Sequence, residues 1–237
     1  MRKLTFIILV TITILGCKNE KKPKVNYDNQ TDKKEIIRDS STVIINELPF
    51  EIDSTEYLIY VIGEPSNLSY GSSYSGFGAE SNNRNSFSVN NSYDSNISGN
   101  IHNLKFQKNE SDTITQLTDQ TILINSVDFL REIFNKNRKE YLLYTVYDSD
   151  TNGDQKINYR DLRSLYMSKI NGEDFKKINP ELQELIDWKI IKSQNRLYFR
   201  TIEDVDKNGE FDNEDNLHYF YIDFDEENLK PKEYNSI

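Results

Sequence analysis

Cysteine and histidine are scarce in this sequence, and positive charge is outnumbered by negative. Its 237 residues hold one cysteine, Cys17, so no disulfide can close within the chain. There are two histidines, His102 and His218, and one tryptophan, Trp188. The histidines are read as surface or strand side chains rather than general bases, and Trp188 as part of a strand core rather than a sugar platform. No Gly-x-Ser-x-Gly elbow, His-Glu-x-x-His helix or phosphate-cradling glycine loop occurs. Pairs of acidic side chains are frequent, but sequence alone assigns them no glycosidase-like chemistry. The chain is therefore expected not to be an enzyme. Lysine and arginine total 29 against 39 aspartates and glutamates, a net charge of −10. A surface of that sign repels phosphate backbones, which excludes nucleic acid as a partner.

Aromatic side chains are abundant. Hydrophobic residues make up only 36% of the chain, but 15 tyrosines and 12 phenylalanines are among them, and each can bury a large area. Tyrosine and β-branched residues favour sheet. Apolar residues recur with a period of two, which predicts strands over 42–46, 56–62, 100–108, 114–117, 140–147, 164–170, 185–191, 196–202 and 216–224. Shorter strands are expected over 175–178 and 229–234. The run 122–134 fits a strand and a helix stripe equally, and 135–139 reads as a polar turn. These segments fall into three rounds of strand, turn, strand, long loop, strand and short strand. Four strands in roughly 45 residues is the spacing of a propeller blade. Within the second round, Leu165, Tyr166 and Ser168, followed by Gly172 and closed by the apolar Ile178, resemble the blade repeat of TolB-like propellers. Closed propellers have at least four blades. The expectation is thus an all-β fold: an antiparallel meander of about three propeller-blade-like repeats, as a partial or atypical propeller.

In the third round the long loop is 204–215. Oxygen-bearing side chains stand at its positions 1, 3, 5, 9 and 12, and glycine at position 6. A hard cation taking six to eight oxygens from one tight loop needs that spacing. Asp204, Asp206 and Asn208 would ligate through side chains and Glu210 through its carbonyl. Asp212 would ligate directly or through water, and Asp215 would close the cage. Gly209 would supply a positive φ, and Phe211 would anchor the loop. The second round has an acidic loop in the same slot, 148–161. Starting at Asp148 puts Gly153 at position 6 but Gln155 at the apolar position 8 and Tyr159 at position 12. Starting at Asp150 gives Asn152 at 3, Asp154 at 5, the Lys156 carbonyl at 7, Ile157 at 8, Asn158 at 9 and Asp161 at 12. The second register is preferred, although it places Gln155 where glycine is expected. Asp148 is a candidate additional ligand. Both loops resemble the calcium loops of EF-hands and dockerins. The flanking segments alternate as strands, so calcium loops inserted between strands are expected rather than helix–loop–helix units.

At the N-terminus, Arg2 and Lys3 precede an apolar run over 4–15, too short to span a bilayer comfortably, and then Gly16 and Cys17. This resembles the lipobox of bacterial lipoproteins. The resemblance implies a signal peptide over 1–17 cleaved before Cys17, lipidation of that cysteine by acyl chains such as palmitate, and a membrane partner. Several acyl chains make a stable anchor; the alternative is an uncleaved N-terminal membrane anchor. Lys18 follows Cys17 where enteric-type inner-membrane lipoproteins carry aspartate, so the resemblance implies the outer membrane. Residues 18–42 read as a flexible tether in which Ile36 and Ile37 dock, and 43–237 as the β domain. The first round carries a Ser/Asn/Gly-rich loop over 63–100, either disordered or a binding loop rich in tyrosine and serine. If the repeats are neighbours, the three long loops emerge on one face. The function expected is a non-enzymatic calcium-binding envelope lipoprotein, with calcium acting structurally. The alternatives are surface recognition of a glycan or protein through the 63–100 loop and, below both, a calcium-dependent hydrolase.

Overall fold

A computed structural model describes residues 23–27, 36–37, 42–64, 88–89 and 96–235. The leader, Cys17 and most of the 63–100 loop lie outside these residues. Among the described residues fourteen strands run in chain order: β1 (Ile45–Asn46), β2 (Phe50–Glu51), β3 (Tyr57–Gly63), β4 (Ser88–Val89), β5 (Asn96–Lys108), β6 (Ile114–Gln116), β7 (Leu123–Phe129), β8 (Tyr141–Tyr147), β9 (Arg163–Lys169), β10 (Lys176–Lys177), β11 (Gln183–Ile191), β12 (Arg196–Glu203), β13 (Asn216–Asp223) and β14 (Lys232–Glu233). One α-helix, α1 (Arg131–Asn137), joins β7 to β8. The ambiguous run 122–134 is thus both elements in succession. It starts as strand and turns at Leu130, and the helix extends through part of the expected polar turn.

Every ladder is antiparallel. The fold is all-β in two sheets, one of ten strands and one of four. The four-stranded sheet is the third round in chain order, β11-β12-β13-β14. Residues 123–177 follow the same order, β7-β8-β9-β10, but β7 also pairs with β5, so the first and second rounds share one sheet. The join is made by β5, a strand of 13 residues. Its second half pairs with β3 and its first half with β7, with register shifts around Gly99 and Asn100. Gly99 has φ +133, a conformation that needs glycine and that bends the strand between its two partners.

Strands β8 and β9 form the middle layer. Leu142, Tyr144 and Val146 of β8 and Tyr166 of β9 point into a core shared with β3, β5 and β7. Leu143 of β8 and Leu165 and Met167 of β9 point the other way, into a core closed by Leu185, Leu197, Phe199, Phe220 and Ile222 of the four-stranded sheet. A strand alternates faces with period two, so a strand apolar at consecutive positions is covered on both sides. Helix α1 serves both cores, with Ile133 in one and Phe134 in the other. Trp188 packs, partly buried, against the second core. Among the described residues no helix is long and apolar enough to cross a membrane.

Candidate metal loops

The two acidic loops occupy equivalent connections, 150–161 between β8 and β9 and 204–215 between β12 and β13. Strands flank both, not helices. Position by position their hydrogen bonds repeat. The first aspartate, Asp150 or Asp204, accepts from the N–H groups of positions 5 and 6: Asp154 (3.0 Å) and Gln155 (2.7 Å), or Asn208 (3.2 Å) and Gly209 (2.7 Å). Position 3, Asn152 or Asp206, accepts from the N–H of position 5 at 2.9 and 3.0 Å. Position 5, Asp154 or Asn208, accepts from Lys156 N–H (3.0 Å) or Glu210 N–H (2.7 Å). Position 9, Asn158 or Asp212, accepts from the N–H two residues on, at 2.9 and 2.8 Å. The last aspartate closes each loop with both oxygens. Asp161 accepts from Thr151 (2.9 Å) and Asn158 (2.8 Å), and Asp215 from Val205 (3.0 Å) and Asp212 (2.9 Å).

The register beginning at Asp150 therefore matches the second loop, and the one beginning at Asp148 does not. Asp148 faces elsewhere, accepting from the Tyr166 hydroxyl (2.8 Å) and pairing with Lys177 (3.0 Å). Its carboxylate is part of a structural ion pair rather than the loop. The backbone explains the glycine problem. Both loops have positive φ at positions 4 and 6: +79 at Gly153 and +64 at Gln155, +58 at Lys207 and +82 at Gly209. Each loop spends its one glycine on a different member of the pair. The non-glycine in a left-handed conformation costs about 1–2 kcal/mol, and the first aspartate's hydrogen bonds to the surrounding N–H groups hold it there.

Asp161 has 0% exposure and Asp204 4%. Burial pushes the Asp161 carboxyl up to about 6, although the N–H groups of Asn158, Asn152 and Thr151 pull the other way. Asp204, Asp206 and Asp215 each place a carboxylate oxygen within 4.8 Å of the others, the one such cluster among the described residues. Phe211 and Ile157 are half-buried. The donor set is all oxygen, which suits a hard cation of the calcium type.

A feature with no sequence signal of its own lies across both loops. The expected tether contains a docked arm, residues 23–27. Lys24 and Val25 donate their N–H groups to the Gly209 carbonyl (2.7 and 3.3 Å), and Asn26 donates to the Thr151 carbonyl (2.7 Å). The Thr151 hydroxyl donates back to Lys24 O (2.7 Å), and Lys24 Nζ pairs with Glu184 (2.7 Å). Tyr27 is hydrogen-bonded to Asp204, and burial first, then that carboxylate, pushes its hydroxyl pKa up. Consecutive arm residues bind different loops, so the two loops lie side by side on one face of the protein. Further along, Ile37 N–H donates to Gln155 O (2.8 Å). Ile36 and Ile37 line a cleft of about 470 Å³ with Ile44, His102 and Ile157.

Both histidines contact carboxylates. His102 contacts Glu64 (3.2 Å), and His218 lies between Glu203 (3.0 Å) and Glu233 (2.7 Å). Partial burial opposes the charge on His218, but the two carboxylates outweigh it and hold the imidazole above its usual range. No protein-family model matches the chain, and no curated protein matches it.

Proposed function

We propose that the chain is the non-enzymatic, calcium-stabilised β module of a bacterial envelope lipoprotein, in which cations lock two long inter-strand connections. The observation that carries this reading is the position-by-position repetition of one hydrogen-bond pattern in 150–161 and 204–215, with oxygen donors at each ligand position. The repeated strand order β7-β8-β9-β10 and β11-β12-β13-β14, with its loop in the same slot, supports a partial propeller arrangement. The Gly16–Cys17 pair behind an apolar run supports the lipid anchor. Calorimetry of protein extracted from membranes should find two calcium ions per chain with Kd of about 10⁻⁴–10⁻³ M, the range of extracellular modules. Intact mass should show acyl groups on Cys17. Absence of calcium heat overturns the metal reading, and an unmodified Cys17 overturns the anchor.

A second reading, recognition of a glycan or protein, draws support from the outer face of the four-stranded sheet as well as from the 63–100 loop. Tyr198, Tyr219, Tyr221 and Tyr234 gather there with ring centroids 5.6–6.0 Å apart. Arg196 stacks on Tyr221 at 4.5 Å, and Arg200 is bound to Asp187 (2.7 Å). Tyrosine and arginine are enriched where proteins bind partners. A glycan array should then show retention that Tyr198→Ala and Tyr221→Ala abolish together. An array without hits counts against glycan recognition.

A further inference from the structure

We propose that residues 23–27 are a calcium-dependent clasp, pinned across the two loops when they are occupied and released when the cation leaves. The inference rests on the calcium reading above and extends it to the regulation of the same site. It starts from what the arm holds on to. Its backbone partners are the carbonyls of Thr151 and Gly209, at positions 2 and 6 of their loops, between residues assigned as ligands. Those carbonyls are fixed in space only while the loops are. Without a cation the clustered carboxylates of Asp204, Asp206 and Asp215 repel one another, and the shape that presents Gly209 O is weakened.

The arm also reaches a ligand residue directly, through the hydrogen bond between Tyr27 and Asp204. Val25 is its single buried apolar residue, at 2% exposure. The Lys24–Glu184 pair has a lysine side chain 36% exposed, and such pairs contribute at most about 1 kcal/mol. Ordering five backbone residues costs about 1–2 kcal/mol each. Docking therefore has to be sustained largely by what the arm binds in the loops, the carbonyls of Thr151 and Gly209 and the carboxylate of Asp204. Gly209 shows how closely the two parts fit: a Cβ there would lie 2.3 Å from Val25 O and 2.6 Å from Pro23 Cβ. The glycine at position 6 of this loop is required by the passing arm, whereas Gln155 takes a left-handed φ at the same position of the other loop.

The consequence is a change of reach. Six residue steps separate Cys17 from Pro23, which spans at most about 20 Å when fully extended. Twenty-five steps separate Cys17 from Thr42, for a limit of about 85 Å. With the arm and Ile37 docked, the domain is held near its anchor; with them released, it can stand far off.

Coupling of this kind is reciprocal: if calcium strengthens arm docking by some factor, the docked arm strengthens calcium binding by the same factor. Hydrogen exchange on the full chain, in millimolar calcium chloride and in EGTA, reads the first half. The Val25 and Asn26 amides should exchange about tenfold more slowly with calcium, a coupling of ordinary size. Calorimetry of Val25→Asp reads the second half and should find calcium bound about tenfold more weakly, with the arm amides unprotected in both conditions. Val25→Ser serves if the aspartate variant misfolds. Calcium binding with equally protected arm amides in calcium and EGTA overturns the clasp and leaves the metal reading intact. Calcium affinity unchanged in both Val25 variants, with the arm released, does the same. No calcium heat from the parent chain overturns both together.

Discussion

Millimolar calcium should raise the melting temperature of the calcium-free protein, and Asp206→Asn should remove about half of that rise. Each occupied site adds RT ln(1+[L]/Kd), about 1.4 kcal/mol at tenfold excess. Two sites add about 2.8 kcal/mol, or roughly 5–10 °C for a chain of this size. Asp206 is the informative position because it is exposed and its Oδ1 accepts from Asn208 N–H at 3.0 Å. Asparagine keeps that acceptor and its shape while removing one charge from the three carboxylates within 4.8 Å of one another. The bond from Asn208 Nδ2 to Asp206 Oδ2 (3.0 Å) is lost, but at an exposed site water replaces it. In EGTA the variant should therefore melt at or slightly above the parent, and in calcium below it. Asp204→Ala would be a poorer test. Asp204 is buried and accepts from Asn208 and Gly209 N–H, so its loss would orphan two donors with or without metal, at about 1–3 kcal/mol. An equal fall of Asp206→Asn in both buffers, or a parent indifferent to calcium, would refute the metal reading.

The strands and the two loops were legible in the sequence because both are encoded locally. Alternation in Tyr141–Tyr147 and Arg196–Glu203 is a property of neighbouring residues, and the twelve-position loops carry their oxygens at fixed spacing. The strandedness of the flanks could likewise be read without knowing what lay opposite. Three features could not. The β5–β7 ladder depends on a bend at Gly99, and a single glycine in a strand does not say which partners it separates. In the run 122–134 the same apolar residues suit a strand and a helix, and the chain uses both periods in turn. The docked arm has Val25 as its one buried apolar residue, and its bonds to the loops are made largely by its backbone over more than 120 residues of sequence. Composition in such a stretch reads as tether, because the apolar content needed for folding alone is absent. Docking onto an existing surface needs far less. The retrospective signal is small: a proline and a valine interrupting a lysine-rich run, and a glycine at position 6 whose missing Cβ makes room for the arm.

Gly172→Ala should be among the most damaging single-methyl changes in the chain. Gly172 closes the turn after β9 with φ +82, and its N–H donates to Lys169 O at 3.0 Å. An alanine Cβ would stand 2.5 Å from Phe106 Cε2 and 2.8 Å from Cδ2. Phe106 is 1% exposed in β5, inside the core that also holds Tyr144, Tyr166 and Phe175. Those three rings are packed together, Tyr166 on Phe175 at 4.8 Å and Tyr144 edge-on to Phe175 at 5.2 Å, in the same core as Phe106. Two costs add: about 1–2 kcal/mol for a side chain in the left-handed region and about 1–3 kcal/mol for overpacking. The expected loss of about 2–5 kcal/mol lowers the melting temperature by roughly 5–15 °C. A double-mutant cycle separates the parts. Phe106→Leu shortens the ring that the methyl meets, so the pair should cost about 1–3 kcal/mol less than the sum of the single changes. Additive losses would mean that the turn alone demands the glycine. Coupling would show that this turn of the second round is fitted against a strand of the first, so that the packing as well as the β5–β7 ladder fastens the two rounds together.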